Sequence, residues 1–223
     1  SLVGSEMCIR DRFSVSSQHY AFVVNAFVSL LKRADMTRYE LFLRETRTYE
    51  IIEDVKNFRS EIGVLFLNSY NRDVLTKMFD DNRLTYTSLF KARPHIFVSK
   101  SNPLAKHKVV SLEDLEDFPY LSYDQGIHNS FYYSEEILSQ ISHKKSIVVS
   151  DRATLFNLLI GLDGYTIATG ILNSNLNGDN IVSIPLDIDD EIDIVYLKHE
   201  KATLSKMGEK FLDNLVKEVT FDN

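Results

Sequence analysis

The sequence predicts a two-lobed α/β domain, and three observations carry that prediction. Short apolar runs alternate with amphipathic stretches in a β-α-β-α-β-α order over the first part of the chain, which implies a parallel sheet covered by helices. A second such unit begins after Asn102-Pro103. No Gly/Pro/Ser-rich linker separates the two units, so long extended segments must carry the chain from one to the other.

The elements follow in order. Phe13 to Val15 reads as a short buried strand, after which Ser16 and Ser17 offer N-cap oxygens to a helix. That helix places Tyr20, Val24, Phe27, Val28 and Leu31 on one face. Tyr39, Leu41 and Leu43 alternate with Glu40, Phe42 and Arg44, a strand ending near Thr46. A helix from about Thr48 to Ser60 buries Ile51, Ile52, Val55 and Phe58. Ile62 to Leu67 is a continuous apolar run of strand length, suited to a parallel strand covered on both faces. Val74, Leu75, Met78 and Phe79 mark a third helix. Leu84 to Ala92 and His95 to Ser99 are extended, and Pro94 biases Arg93 between them away from helix.

In the second unit, Ser111 and Asp114 have capping-box spacing for a short helix that Phe118-Pro119 ends. Tyr120 to Tyr123 is a strand, Asp124 to Ser130 a polar loop, and Tyr133 to Ile141 roughly a helix. After a strand at Ser146 to Val149, Asp151 caps a helix carrying Leu155, Leu158, Leu159 and Leu162, with Gly161 and Gly164 flanking its end. Tyr165 to Thr169 and Ile181 to Ile184 are strands. Ile192 to His199 runs back towards the first unit, and a last helix, about Ser205 to Val219, shows Met207, Phe211, Leu212 and Leu215 on one face. Lobe I therefore spans 13–92 plus 196–223, and lobe II spans 93–195. The crossings, about Phe90 to Val98 and Leu186 to Leu197, form a hinge that permits closure around a ligand.

Composition narrows the function. The chain has 223 residues, 44% hydrophobic and 26% charged, as in soluble globular proteins. A net charge of −7 argues against nucleic-acid binding by this domain, since phosphate contacts need clustered Lys and Arg. No apolar run approaches the roughly 20 residues that span a bilayer. The one cysteine, Cys8, cannot form an internal disulfide and favours a reducing compartment, so a cytoplasmic location is expected. Residues 1–12, SLVGSEMCIRDR, resemble a translated sequencing adapter and are set aside as non-native. Glu6, Arg10, Asp11 and Arg12 cancel in charge, so the −7 belongs to the remainder.

Three strings carry a resemblance. They are Ala92-Arg93-Pro94-His95-Ile96-Phe97-Val98, then Asn102-Pro103-Leu104-Ala105, then Ser111-Leu112-Glu113-Asp114-Leu115-Glu116-Asp117-Phe118-Pro119-Tyr120-Leu121. In order and spacing they resemble the effector-binding domain of LysR-type transcriptional regulators, as does the segment Asp151 to Gly170. The family usually has His where Asn102 stands. The resemblance covers Phe13 to about Val219. It implies two Rossmann-like lobes of the type 2 periplasmic-binding-protein fold, joined by two crossing hinge strands, with an effector between them. It also implies dimers or tetramers, and DNA contact only through an N-terminal helix-turn-helix domain that this chain lacks.

Ligands of open α/β sheets bind beyond the carboxyl ends of strands. In lobe I those positions hold Ser16, Ser17 and Gln18, then Thr46, Arg47 and Thr48, then Asn68. In lobe II they hold Ser122, Tyr123, Asp124, Gln125 and Gly126, then Ser150, Asp151 and Thr154, then Thr169 and Gly170. The family places its effector contacts at matching positions. Hydroxyls at two helix N-termini, with Arg47 between Thr46 and Thr48, point to a small anionic ligand such as a carboxylate. Gln125 offers both a donor and an acceptor. The ligand-binding candidates are thus Ser16, Ser17, Gln18, Thr46, Arg47, Ser122, Tyr123, Gln125, Thr154 and Thr169.

Catalytic patterns are wanting. The six histidines, His19, His95, His107, His128, His143 and His199, have no paired ligand spacing. His19 falls near the cleft but reads as structural, and His107, His128 and His143 as exposed. No G-x-S-x-G elbow or P-loop occurs. The run Asp187 to Glu191 reads as a solvated turn. Phe131-Tyr132-Tyr133 suits either the cleft mouth or packing at a helix start, with the second favoured. The chain is expected to be a sensor without cofactor or metal and not an enzyme. The alternatives on the same fold are an extracytoplasmic solute-binding protein and an enzyme such as a transferase.

Overall fold

The computed structural model describes residues 11–35, 37–172 and 177–220. Lobe I is built from β1 (Asp11–Ser17), α1 (Ala21–Arg33), β2 (Tyr39–Glu45), α2 (Thr48–Lys56), β3 (Ile62–Leu67), α3 (Arg72–Asp81) and β4 (Leu84–Ala92), completed by β10 (Ile192–His199) and α5 (Lys206–Thr220). Its sheet runs β2-β1-β3-β10-β4. The first three strands are parallel, and β10 inserts antiparallel between β3 and β4. All of β10 belongs to this sheet, so lobe I resumes at residue 192 rather than 196. Asp11 and Arg12, set aside with the first twelve residues, extend β1 in register with Tyr39 and Glu40.

Lobe II holds β5 (His95–Ser99), β6 (Tyr120–Tyr123), β7 (Ser146–Val149), α4 (Arg152–Leu162), β8 (Thr166–Ala168) and β9 (Ile181–Pro185). Strands β8-β5-β9 form one sheet and β6-β7 another. Leu121 N–H donates to Tyr165 O and Tyr165 N–H to Pro119 O, both at 2.9 Å, which ties β6 to the residue before β8. The chain passes between lobes at Arg93-Pro94 and again between β9 and β10.

Packing explains the alternation. Every residue of Ile62–Leu67 is buried, as a strand covered on both faces requires. On one side α1 and α5 cover the sheet, with Phe27 stacked on Phe13 at 5.7 Å and edge-on to Phe211 at 5.0 Å. On the other, α2 and α3 bury Ile51, Ile52 and Phe79 against Leu65 and Leu197. A Cβ at Gly63 would lie 2.9 Å from Ile51 and Val55 methyls, so glycine there lets α2 approach β3. In lobe II, α4 buries Leu155 and Leu159 against Leu121.

Several local expectations differ from the structure. Ser16 and Ser17 do not cap α1; they remain in β1, paired with Arg44 and Glu45 of β2, and α1 starts at Ala21. Helix α2 ends at Lys56, where Arg59 and Ser60 N–H groups turn back onto Asp54 O. That turn puts Phe58 at φ 57° and leaves it 63% exposed rather than buried. No α-helix forms over Tyr133 to Ile141: a 3-10 turn at Phe131–Tyr133 is followed by turns, with Leu138 at φ 61°. His143 packs on the Tyr120 ring and is not fully exposed. His128 likewise stacks on Tyr49. Two caps form as the spacing predicts: Ser111 and Asp114 bond reciprocally, at 2.9 and 3.3 Å, and Asp151 accepts from Thr154 N–H at 2.8 Å.

Candidate functional site

The cleft lies between the carboxyl ends of β1 and β2 and the chain that follows β6. Its walls are joined by direct bonds. At the β2–α2 junction the Thr48 N–H donates to Gln125 Oε1 at 3.0 Å, so an uncharged amide oxygen from lobe II occupies the end of α2. Beside it, Arg47 Nη2 donates to Asp124 at 2.9 Å, and Gly126 N–H donates to the other oxygen of Asp124 at 2.9 Å. Gly126 holds this turn at φ 64°, where glycine is unstrained. The Gly126 N–H and the Arg47 guanidinium keep the Asp124 carboxyl below its usual range, against the opposing effect of burial.

Deeper in, His19 closes the floor. Its N–H donates to Glu135 Oε1 at 2.8 Å, and its Nδ1 lies 2.9 Å from the same oxygen. The imidazole stacks on Tyr123 at 4.0 Å. Burial opposes charge on His19, but the hydrogen bond and negative charge of Glu135 outweigh it and raise its pKa. Gln125 Nε2 also donates to Glu135, at 3.1 Å. Next along the chain, Glu136 accepts from Tyr123 N–H at 2.9 Å. Burial and the neighbouring Glu135 charge push its carboxyl up to about 8, well above the ordinary carboxylate range. Arg152 at the start of α4 reaches across to Glu45 at 2.9 Å. At the mouth, Tyr49 stacks on His128 and Tyr70 on Tyr132, while Tyr133 meets Met78.

Behind this network lies a cavity of about 50 Å³. Lobe I contributes Phe22, Phe66 and Ile192 to its wall; lobe II contributes Ile137, Phe156 and Ile167. Polar residues in its lining include His19, Tyr123, Glu135, Glu136, Arg152, Thr166 and Thr169. One water needs on the order of 10–15 Å³, so with the lobes together the space is a few waters in size, and an effector larger than that requires the lobes to part.

The sequence-derived candidates divide into three groups. Tyr123 and Thr169 line the cavity. Gln18, Arg47 and Gln125 belong to the bonded walls, Gln18 Nε2 donating to Thr48 Oγ1 at 2.8 Å and its Oε1 accepting from Phe66 N–H at 3.0 Å; Thr46 sits there too, its N–H bonded to Ser17 O. The rest lie elsewhere. Ser16 spends its hydroxyl on Asp54 at 2.6 Å and Ser60 at 2.7 Å, Ser17 on Gln18 O at 2.6 Å, and both are wholly buried. Thr154 is tied to Asp151, and Ser122 lines a separate hollow of lobe II. The residues not anticipated are Glu45, Glu135, Glu136 and Arg152, and His19 is an inter-lobe contact rather than a purely local one. Adjacent carboxylates one residue after Tyr132-Tyr133 were the available signal.

Among the described residues no group of three His, Cys, Asp or Glu could hold a metal ion, and no helix is long and apolar enough to cross a membrane. Two α/β lobes on crossing strands, shut over an apolar cavity, define a ligand-binding domain of the hinged, two-lobed class. The sequence matches the LysR substrate binding domain over residues 21–220, and the chain belongs to that family. Solved structures agree on the fold. A putative LysR family transcriptional regulator from Pseudomonas aeruginosa superposes with TM-score 0.62 at 14% identity, over 97% of this chain and 73% of that one. The effector binding domain of QuiR in complex with shikimate gives 0.61 at 16%, over 93% and 96%. The reduced OxyR regulatory domain from Pseudomonas aeruginosa gives 0.65 at 12%, over 93% and 98%. No curated protein matches the sequence.

Proposed function

We propose that this chain is the sensor half of a LysR-type transcriptional regulator, and that its effector is a small, uncharged, largely apolar molecule held between the lobes. The observation that carries this reading is the cavity wall, shared between Phe22, Phe66 and Ile192 on one lobe and Ile137, Phe156 and Ile167 on the other. A guest touching both halves favours the closed arrangement, by as much as its affinity for the closed and open forms differs. The family match supports the regulator over a solute-binding protein.

The lining argues against the anion expected from the helix termini. Both cleft arginines are already paired, Arg47 with Asp124 and Arg152 with Glu45. The end of α2 is taken by Gln125, and two glutamates line the cavity. Tyr123 and Thr169 are the polar groups proposed to contact the ligand. In the whole regulator, DNA contact would fall to a helix-turn-helix domain, and a homodimer or homotetramer in the cytoplasm would pass the change in lobe angle to it.

Matched pairs of compounds test the ligand class. Benzyl alcohol with benzoate, and 3-methylbutanol with 3-methylbutanoate, are compared by thermal shift. The neutral member of each pair is expected to raise the melting temperature more. Stronger stabilisation by the carboxylates would defeat the argument from the lining.

A further inference from the structure

Shutting the lobes gathers more negative than positive charge at their junction. The carboxylates there are Glu45 of lobe I and Asp124, Glu135 and Glu136 of lobe II. Among the described residues their permanent cationic partners are Arg47, 2.9 Å from Asp124, and Arg152, 2.9 Å from Glu45. Neither Glu135 nor Glu136 is paired with a Lys or Arg among the described residues.

Protons can make up the difference at two places. Glu135 lies against His19 across the cleft, with both side chains almost wholly buried, and the two form an ion pair only when the imidazole is protonated. Glu136 is 4% exposed, accepts Tyr123 N–H, and shares the cavity wall with Tyr20 and Phe22 of lobe I. A carboxyl so removed from water and without a cation is matched as the neutral acid.

The other titratable groups around these two supply no positive charge. Tyr20 of lobe I and Tyr120 and Tyr123 of β6 are phenols that burial keeps neutral. His143, stacked on Tyr120, is pushed towards its neutral form by burial. Asp151 at the start of α4 adds negative charge near His19.

When the lobes part, His19 leaves Glu135 and water reaches Glu136, so both groups return towards their ordinary proton affinities. The two changes have the same sign. His19 is raised above 6.5 with the lobes together, and Glu136 is raised from 4.5 to about 8. The shut form therefore binds more protons than the open one, and its advantage is lost as pH rises through the raised values. Asp124 is lowered instead and acts only in more acidic solution.

We propose that lobe closure is proton-linked, with His19 and Glu136 carrying the protons, so that acid favours the shut form and alkali the open one. This rests on the hinged sensor reading but not on the chemistry of the effector. By reciprocity, a ligand that favours the shut form binds more tightly in acid.

Single-molecule energy transfer on the 223-residue chain tests this without any ligand. Dyes are placed on the exposed positions Asn57, after α2, and Asn157, in α4, as Asn57→Cys and Asn157→Cys in a Cys8→Ser background. The shut fraction is expected to fall steadily from pH 6 to pH 9, the shut-to-open ratio changing by up to about tenfold per pH unit for each proton linked. Glu136→Gln, which keeps the volume and cannot ionise, should flatten that slope, and so should His19→Gln. Each variant is compared with the parent where both melt cooperatively. The proposal is overturned if the parent's shut fraction is unchanged or rises with pH, a result that needs no variant, or if both variants keep the parent's slope. A failure of benzyl alcohol to bind would instead count against the apolar effector and leave this pH dependence standing.

Discussion

His19 and Glu135 meet across the cleft with Nδ1 2.9 Å from Oε1, and their side chains are only 5% and 4% exposed. One comes from the end of β1 and the other from the segment after β6, 116 residues further along the chain. Removing one member of a buried pair leaves the other without compensation. Glu135→Ala should therefore destabilise the domain by about 3 kcal/mol at neutral pH, measured by urea unfolding. A change of less than about 0.5 kcal/mol, within the range of ordinary surface substitutions, would show that the contact contributes nothing to holding the lobes.

The same region sets an unusual pH dependence. His19 has a raised pKa, so its contribution is complete below the ordinary histidine value and disappears as pH rises through the higher folded value. Glu136 titrates at about 8 when folded against 4.5 ordinarily, so the folded state keeps a proton that the unfolded chain gives up. Between those two values folding then weakens as pH rises. Asp124, Asp114 and Asp151 have lowered values and act in the opposite sense, but only at more acidic pH. The melting temperature should fall across the window from 4.5 to about 8, and Glu136→Gln should flatten that slope. A melting temperature that climbs through the window contradicts the assignment.

Gln125 stands where an anion would otherwise bind. Its Oε1 accepts from Thr48 N–H and its Nε2 donates to Glu135. Gln125→Ala should cost about 1–2 kcal/mol for two buried hydrogen bonds and leave the end of α2 open beside Arg47. Sulfate or benzoate should then stabilise the variant more than the parent in a thermal-shift assay, since free N–H groups at a helix start attract anions. Equal stabilisation of both proteins would mean that Gln125 does not block the position.

Ser16 separates a structural hydroxyl from a ligand contact. It bonds Asp54 at 2.6 Å and Ser60 at 2.7 Å, with no exposure. Ser16→Ala should cost about 1–3 kcal/mol by leaving those buried groups short of a partner, and ligand affinity should stay within about twofold. A large loss of affinity at unchanged stability would restore Ser16 to the binding site.

How far the molecule could be read from its sequence depends on how local each cause is. The buried run Ile62–Leu67 and the Asp151 cap are decided by residues next to one another, and both are legible. Phe58 is not, because its exposure follows from a turn back onto Asp54 that no periodicity records. The main loss is at Tyr133 to Ile141, where a helix is expected and turns form instead. The Glu135 and Glu136 carboxylates accept N–H groups of His19 and Tyr123, and those bonds outweigh the local preference for helix. Strand ends do mark Tyr123, Gln125 and Thr169 as cleft residues. The same rule includes Ser16 and Ser17, whose hydroxyls are bonded to Asp54, Ser60 and the Gln18 carbonyl.

The central claim is that the effector occupies the apolar cavity between the lobes. Ala168 lines that cavity, and leucine there would fill much of its about 50 Å³. The most direct measurement is calorimetric titration of the parent chain and of Ala168→Leu with benzyl alcohol and 3-methylbutanol. Saturable binding by the parent, absent from a variant that still melts cooperatively, is the expected result. Equal affinity in the two proteins, or no binding by the parent, would contradict the claim.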